Sequence, residues 1–238
     1  MKKQKPVVQV QDIRKVYQMG REQVVALKRI NLDIYRGEIC CIFGTSGSGK
    51  STLLNQLAGM EKPTRGKVLI KGSCISQMSE EQLAVFRQRY LGFIFQSYNL
   101  LPTMTAVENV ALPLMFRGEK LREREQAAIE MLKKVGLGHR LFHYPGQMSG
   151  GQQQRVGIAR AFVTRPEVIF ADEPTGNLDT KTTEEIMAMI THFSRTQGQT
   201  VVLVTHDPEM SRYGDRIIRL VDGAIIQNEL QEKKGEKR

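Results

Sequence analysis

The chain has 238 residues, of which 40% are hydrophobic and 25% charged. These are the values of a globular protein long enough for one large α/β domain with a full core. No run of about 18 apolar residues occurs, which excludes a transmembrane helix, and the opening Met-Lys-Lys-Gln-Lys-Pro leads only into Val7-Val8, too short for a signal peptide. The net charge of +10 fits a nucleic acid or an anionic membrane as partner, but interior bases are interspersed with acids. The excess gathers at the ends, at Lys2, Lys3 and Lys5 and at Lys233, Lys234, Lys237 and Arg238. With no basic motif interleaved with aromatics, a solvated surface is the preferred reading and no specific nucleic acid is expected.

Val7–Val10 and Val24–Ile34 are predicted strands, followed by an apolar strand over Glu38–Phe43. Helical spacing of Leu53, Leu54, Leu57 and Ala58 predicts a helix over Ser51–Gly59. Val68–Ile70 is a strand. Ser79-Glu80-Glu81-Gln82 is a capping box that starts a helix running to about Tyr90. Gly92–Phe95 is a short strand. Thr105–Glu108 is a second capping box for a helix toward Phe116, and Leu121–Val135 is a charged amphipathic helix. Gly150–Arg165 is a helix that buries Val156, Ile158, Ala159 and Ala161. After it come a strand at Val168–Ala171, a helix at Lys181–Arg195 and a β-branched strand at Thr200–Thr205. Asp207-Pro208 reads as a cap with proline at the first helical position. Arg216–Val221 and Ala224–Gln227 form a closing hairpin around Asp222-Gly223. From about Leu230 the chain turns charged and is expected to fray. The three cysteines, Cys40, Cys41 and Cys74, are an odd set read as reduced, small core residues of a cytosolic protein.

Two segments seek phosphate. Gly44-Thr45-Ser46-Gly47-Ser48-Gly49-Lys50-Ser51, followed by Thr52, fits G-x-x-x-x-G-K-S/T at every fixed position, between a predicted strand and a predicted helix. Glycines let backbone curl around a phosphate, Lys50 supplies a point charge near the β- and γ-phosphates, and the Ser51 hydroxyl can ligate Mg²⁺. Met148-Ser149-Gly150-Gly151-Gln152 is the second segment, a glycine-rich opening to a helix that offers N–H groups to another anion.

Val168–Ala171 delivers two adjacent carboxylates, Asp172 and Glu173. A strand ending in buried acids needs a compensating cation. Asp172 is read as holding Mg²⁺ through water and Glu173 as the general base for an attacking water. The alternative for the pair is capping of the turn Pro174-Thr175-Gly176. His206 ends a strand expected to run parallel to this one, at the edge where such sheets bind ligands, and is read as a γ-phosphate contact. His139, His143 and His192 have no such placement.

With these residues in order, the chain resembles the nucleotide-binding subunit of an ATP-binding-cassette (ABC) transporter, over about Val7–Gln227. The resemblance implies an α/β, P-loop NTPase core with an N-terminal antiparallel β subdomain and an inserted α-helical subdomain. The core would span about 5–95 and 155–229, the helical subdomain about 96–154, and a basic tail 230–238. It further implies that Tyr17, by itself only a strand residue, stacks on adenine. Gln96 would touch Mg²⁺ and report to the membrane partner. Ser149, Gly150, Gly151 and Gln152 would bind in trans the ATP held by a second subunit, and Asp179, in Asn177-Leu178-Asp179, would cross the dimer interface. Leucine usually opens the second segment; Met148 is of similar volume and apolar, so little effect is expected. Leu91–Pro102 and Asp172–Asp179 are similar to the lipoprotein-release and macrolide-export group.

The implied protein is an ATPase using ATP and Mg²⁺. It would act as a homodimer on a separate transmembrane permease and lie peripherally on the cytoplasmic face of the membrane. Two other classes fit the sequence less well. A cassette acting on nucleic acid or ribosomes would carry either a long coiled coil between Lys50 and Ser149, which are only 99 positions apart, or two cassettes per chain. A small-molecule kinase would leave Ser149–Gln152 unexplained.

Overall fold

A computed structural model describes residues 5–231. In chain order the strands and helices are β1 (Val8–Met19), β2 (Glu22–Ile34), β3 (Ile39–Phe43), α1 (Lys50–Leu57), β4 (Arg65–Ile70), β5 (Ser73–Cys74), α2 (Glu80–Tyr90), β6 (Leu91–Phe95), α3 (Ala106–Phe116) and α4 (Leu121–Lys134). They continue with α5 (Gly150–Phe162), β7 (Val168–Asp172), α6 (Thr180–Gln197), β8 (Thr200–Thr205), β9 (Arg216–Val221) and β10 (Ala224–Leu230). Short 3₁₀ turns occupy Ile75–Gln77, Pro145–Gln147 and Pro208–Tyr213. The chain packs as two compact units, one of residues up to Ala84 and from Thr200 on, the other Val85–Gln199.

The first unit holds an antiparallel sheet in the order β2-β1-β4-β5. Its first strand is longer than the predicted Val7–Val10. It runs to Met19 through an irregularity at Asp12, whose φ is 49°. A Cβ at Gly66 would overlap the backbone there, so only glycine lets β4 pass the bulge. Bulged pairing breaks strict alternation, and the sequence pattern stops where the bulge begins. Gly20, at φ 61°, takes the first central position of the two-residue turn into β2.

The same unit carries the adjacent strands β10-β9-β3-β8, with β3 parallel to both β8 and β9. Ile39–Ile42 and Val201–Val204 are buried throughout, as expected of parallel strands covered on both faces. The closing hairpin turns at Asp222 (φ 45°) and Gly223 (φ 72°), the two left-handed residues of a type I′ turn. The expected cap at Asp207 is present, its Oδ1 accepting from the Glu209 backbone N–H at 2.8 Å. Cys40 and Cys41 are buried, whereas Cys74 lies on the edge strand β5, only half-buried, with its Sγ 3.4 Å from Ser76 Oγ. Half-buried on the last strand of its sheet, Cys74 is not the core residue expected.

The second unit contains β6 parallel to β7 and the helices from α3 to α6. Helix α3 packs on α4 and α5, and α5 on β6 and α6. Arg117, at the end of α3, donates to the carbonyls of Gln88, Arg89 and Thr164 at 2.9, 2.9 and 2.7 Å, tying three segments together. Helix α5 stops at Phe162, short of the predicted Arg165. Pro166 disfavours helical backbone at Arg165, which turns left-handed at φ 48° instead. Both predicted capping boxes form, at Ser79–Gln82 and Thr105–Glu108. Helix α6 begins at the cap Asp179 and ends at left-handed Gly198. Among the described residues no helix is long and apolar enough to cross a membrane. Of the expected basic tail, 232–238 lie outside the described residues.

Candidate nucleotide site

In the first unit, β3 ends at Phe43 and the chain loops through Gly44–Gly49 into α1. A Cβ on Gly44 would overlap the Leu220 carbonyl oxygen, and Gly49, at φ 100°, would place one 2.7 Å from the Ala26 carbonyl. The loop therefore lies flush against β9 and β2 and tolerates no side chain at either point. Gly223 N–H donates to Ser48 O at 3.0 Å, which holds the loop from the hairpin side. Thr45, Ser46 and Gly47 are exposed, and a Cβ on Gly47 would meet nothing within 4 Å.

Lys50 is 6% exposed, and its ammonium donates to the carbonyls of Gly44 at 2.9 Å and Thr45 at 2.8 Å. The charge thus sits inside the loop's own curl. Helix α1 has no side-chain cap at Gly49, so its first N–H groups are not capped from that position. An open curl of backbone, a held cation and an uncapped helix start form a cradle that fits a polyphosphate. Ser51 is exposed beside it and Thr52 is half-buried.

Tyr17 is half-buried in β1. Its hydroxyl donates to Glu61 Oε2 at 2.7 Å, and Lys15 Nζ lies 5.0 Å from its ring centroid. Lys15 also pairs with Glu61 at 3.1 Å and Asn55 donates to it at 3.2 Å. Burial, and then the Glu61 carboxylate, push the Tyr17 hydroxyl above its ordinary pKa, so the ring stays neutral. His206 is exposed immediately after β8, where Asp207 N–H bonds Thr205 Oγ1 at 3.0 Å.

In the second unit, Phe95 pairs with Asp172 at the ends of parallel β6 and β7. Gln96 and Glu173 therefore leave the same sheet edge at the same level, the edge at which open α/β sheets bind ligands. Glu173 has φ 43°, a left-handed conformation that non-glycine residues hold mainly where their surroundings impose it. Gln96 Nε2 donates to Asn177 Oδ1 at 3.4 Å, and Asn177 Nδ2 returns a bond to Gln96 O at 3.2 Å. A Cβ on Gly176 would stand 2.7 Å from Gln96 Nε2, so that glycine makes room for the pair.

Ser149 is the N-cap of α5. Its Oγ accepts from Gln152 N–H at 3.3 Å, and Gln152 Oε1 accepts from Ser149 N–H at 3.1 Å. This reciprocal box is a capping box of the Ser-x-x-Gln pattern, alongside the anion binding expected of the segment. A Cβ on Gly150 would stand 2.7 Å from the Tyr98 hydroxyl oxygen, and one on Gly151 2.8 Å from Thr182 Cγ2. The helix start is thus packed against α6, whose cap Asp179 accepts from Thr182 N–H at 3.0 Å and Thr182 Oγ1 at 2.7 Å. Those bonds hold the Asp179 carboxyl below its usual range. Met148 is buried where leucine is usual.

Two residues escaped the sequence reading. Glu61 carried no signal, because its partners lie on a distant strand and an earlier helix. Gln154 was detectable. It precedes Ile158 and Ala161 at helical spacing, which places it on the buried face of α5, and its Nε2 donates to the Pro174 carbonyl.

A family model described as "ABC transporter" matches residues 27–176. The chain is 51% identical over 221 residues to an uncharacterized ABC transporter ATP-binding protein of Thermotoga maritima, covering 93% of this chain and 94% of that protein. A similarly named protein of Methanocaldococcus jannaschii is 48% identical, with 93% and 98% covered. The macrolide export ATP-binding/permease protein MacB of Escherichia coli K12 is 46% identical over 94% of this chain, which spans 34% of the length of MacB. Among solved structures, the dimeric ATP-binding cassette MJ0796 bound to ADP and Pi superposes with a TM-score of 0.88 at 44% identity, covering 94% of this chain and 99% of that one. With the matched sequence over most of its length and the shared fold, the chain belongs to the ABC transporter family.

Proposed function

We propose that this chain is the ATP-binding and ATP-hydrolysing subunit of an ABC transporter, and that two copies close around ATP to drive a membrane permease. The observation that carries the reading is the buried Lys50 ammonium held on the Gly44 and Thr45 carbonyls, beside the uncapped start of α1. The dimeric form of the matched cassette and the permease named in MacB support the partners. The permease it drives is of the lipoprotein-release or macrolide-export kind, the latter named in MacB. The chain would then act on the cytoplasmic face of the membrane through that partner.

In this reading the Tyr17 ring stacks on adenine. Backbone N–H groups of Gly44–Ser51, the Lys50 ammonium and the Thr52 hydroxyl hold the phosphates, and His206 holds the γ-phosphate. Ser51, Gln96 and Asp172 supply only oxygen ligands, the donor set that suits Mg²⁺, whose charge offsets that of the phosphates. Glu173 accepts a proton from water as the water oxygen bonds to the γ-phosphorus and the bond to the β-phosphate oxygen breaks, yielding ADP and phosphate. Ser149, Gly150, Gly151 and Gln152 of one copy engage the γ-phosphate bound by the other, with Asp179 at the interface. Loss of that phosphate removes what both copies attract, and the dimer opens.

Replacing Glu173→Gln tests this. ATP binding should persist, turnover should fall about 10²- to 10⁴-fold, and an ATP-bound dimer should accumulate in sizing runs. Full hydrolysis in this variant would overturn the role of Glu173.

A further inference from the structure

Gln154 is buried at 0% exposure one turn inside α5, and its Nε2 donates to the carbonyl of Pro174, the residue directly after Glu173. Its Oε1 is buried with no hydrogen-bond partner among the described residues. A methionine would fill the same volume without leaving a buried carbonyl unsatisfied, so packing alone does not account for an amide here. The N–H donated to Pro174 does.

We infer that Gln154 is a positioning residue for Glu173 and that, through it, the helix opening at Ser149 sets the orientation of the hydrolytic carboxylate in its own chain. This rests on the reading of Glu173 as the base and of Ser149–Gln152 as a γ-phosphate contact. The backbone supplies the lever. Glu173 sits at φ 43°, and the proline ring fixes φ of the next residue. Peptide planes are rigid, so holding the Pro174 carbonyl leaves few soft torsions between that bond and the Glu173 Cα. Upstream, Asp172 is fixed by its register with Phe95, and downstream Gly176 N–H closes on Glu173 O at 3.1 Å. Gln154 fastens this turn to helix α5.

The same helix grips the neighbouring edge. Arg160 donates to the carbonyls of Tyr98 at 2.7 Å and Asn99 at 2.5 Å, both in left-handed conformations just after β6. Helix α5 is thus bonded to the segments that leave both strands. A γ-phosphate engaging its Ser149 end and the Glu173 carboxylate share one rigid element. Each chain's contact to its partner's nucleotide therefore bears on hydrolysis of its own, and the two sites of the dimer are coupled through Gln154 as well as across the interface.

The test compares Gln154→Met, Gln154→Glu and Glu173→Gln in the full chain, with ATP titration, steady-state kinetics and a melting curve for each. Gln154→Met should keep ATP affinity within about twofold and lose about ten- to a hundredfold in kcat, the scale of a misplaced catalytic group. Its Hill coefficient for ATP should also fall below the parent's. Gln154→Glu is the second variant. Only a protonated carboxyl can donate to the Pro174 carbonyl, and burial raises that carboxyl's pKa. Its activity should therefore be high at low pH and fall as pH rises, over a range where the parent is steady. A role in stability alone would lower both variants' melting points and give a limb in Gln154→Glu only where its melting point drops to the assay temperature, which the melting curve taken at each pH shows. Parental kcat in Gln154→Met, or a flat profile in Gln154→Glu, overturns the positioning role while Glu173→Gln stays inactive. An active Glu173→Gln overturns the underlying reading instead.

Discussion

The Tyr17 hydroxyl donates to Glu61 Oε2 across 2.7 Å, joining the C-terminal end of β1 to the turn that follows α1. Lys15 and Asn55 converge on the same carboxylate. A ring held by its hydroxyl presents a fixed face, and a fixed face loses less entropy when a base stacks on it. Stacking on an aromatic is worth about 1–3 kcal/mol per base, and Glu61 should account for part of it. Glu61→Ala is expected to raise KM for ATP about three- to tenfold at unchanged kcat, with the shortfall non-additive with Tyr17→Ala in a double-mutant cycle. Additive effects would show that Glu61 acts elsewhere.

The same cluster makes a pH prediction. Burial pushes the Glu61 carboxyl upward, but the bonds from Tyr17, Lys15 and Asn55 outweigh it and hold the group below its ordinary value of 4.5. A carboxyl with a depressed folded pKa adds stability that is present above the unfolded value and lost as pH falls through the folded one. Denaturant melts stepped from above pH 4.5 to below it should show the parent losing more stability than Glu61→Gln. Parallel losses would mean that the carboxylate is not held as its contacts indicate.

Lys50 offers a sharper loss. Its ammonium is bonded to Gly44 and Thr45, so truncation removes both a phosphate contact and two ties inside the loop. Charge-assisted bonds contribute about 1.5–3 kcal/mol each, and Lys50→Ala should weaken ATP binding at least tenfold in a calorimetric titration. An unchanged isotherm would contradict the cradle.

Most of this site was legible because its parts are local. The P-loop, the paired carboxylates of β7 and the caps at Thr105 and Asp207 are each set within a few residues, where glycine, proline and capping side chains act directly on the backbone. Long-range partners were not legible. Glu61 meets Tyr17 only because β1 and the turn after α1 are brought together by the fold. The bulge at Asp12 interrupted the alternation that would have announced the rest of β1. The early stop of α5 was local and was missed because apolar spacing outweighed the restraint that Pro166 places on Arg165.

Ser149 separates two roles. As the N-cap of α5 it accepts from Gln152 N–H, so Ser149→Ala should cost about 1 kcal/mol and lower the melting point. Ser149→Arg adds a long charged side chain at an exposed position and should leave nucleotide binding to the monomer intact while preventing the ATP-induced dimer. A normal dimer of Ser149→Arg in sizing runs would refute engagement of ATP in trans.

The thiols report on the strand beneath the P-loop. Cys40 and Cys41 lie in β3, directly before Gly44, and both are buried. Burial raises the Cys40 thiol well above its ordinary value, and burial with Asp207 nearby pushes Cys41 up to about 12. At neutral pH neither offers thiolate, the form that alkylates. Cys74, half-buried on edge strand β5, does not share that shelter. Iodoacetamide should therefore label one thiol quickly in the native chain and all three after denaturation, and Cys74→Ser should abolish the fast phase. The slow labelling of Cys40 and Cys41 then measures how often the β3 sheet opens. A ligand that binds only the folded state suppresses opening by mass action, so saturating ATP should slow that phase while leaving Cys74 unaffected. Slow labelling unchanged by ATP would show that nucleotide does not bind where β3 enters the loop.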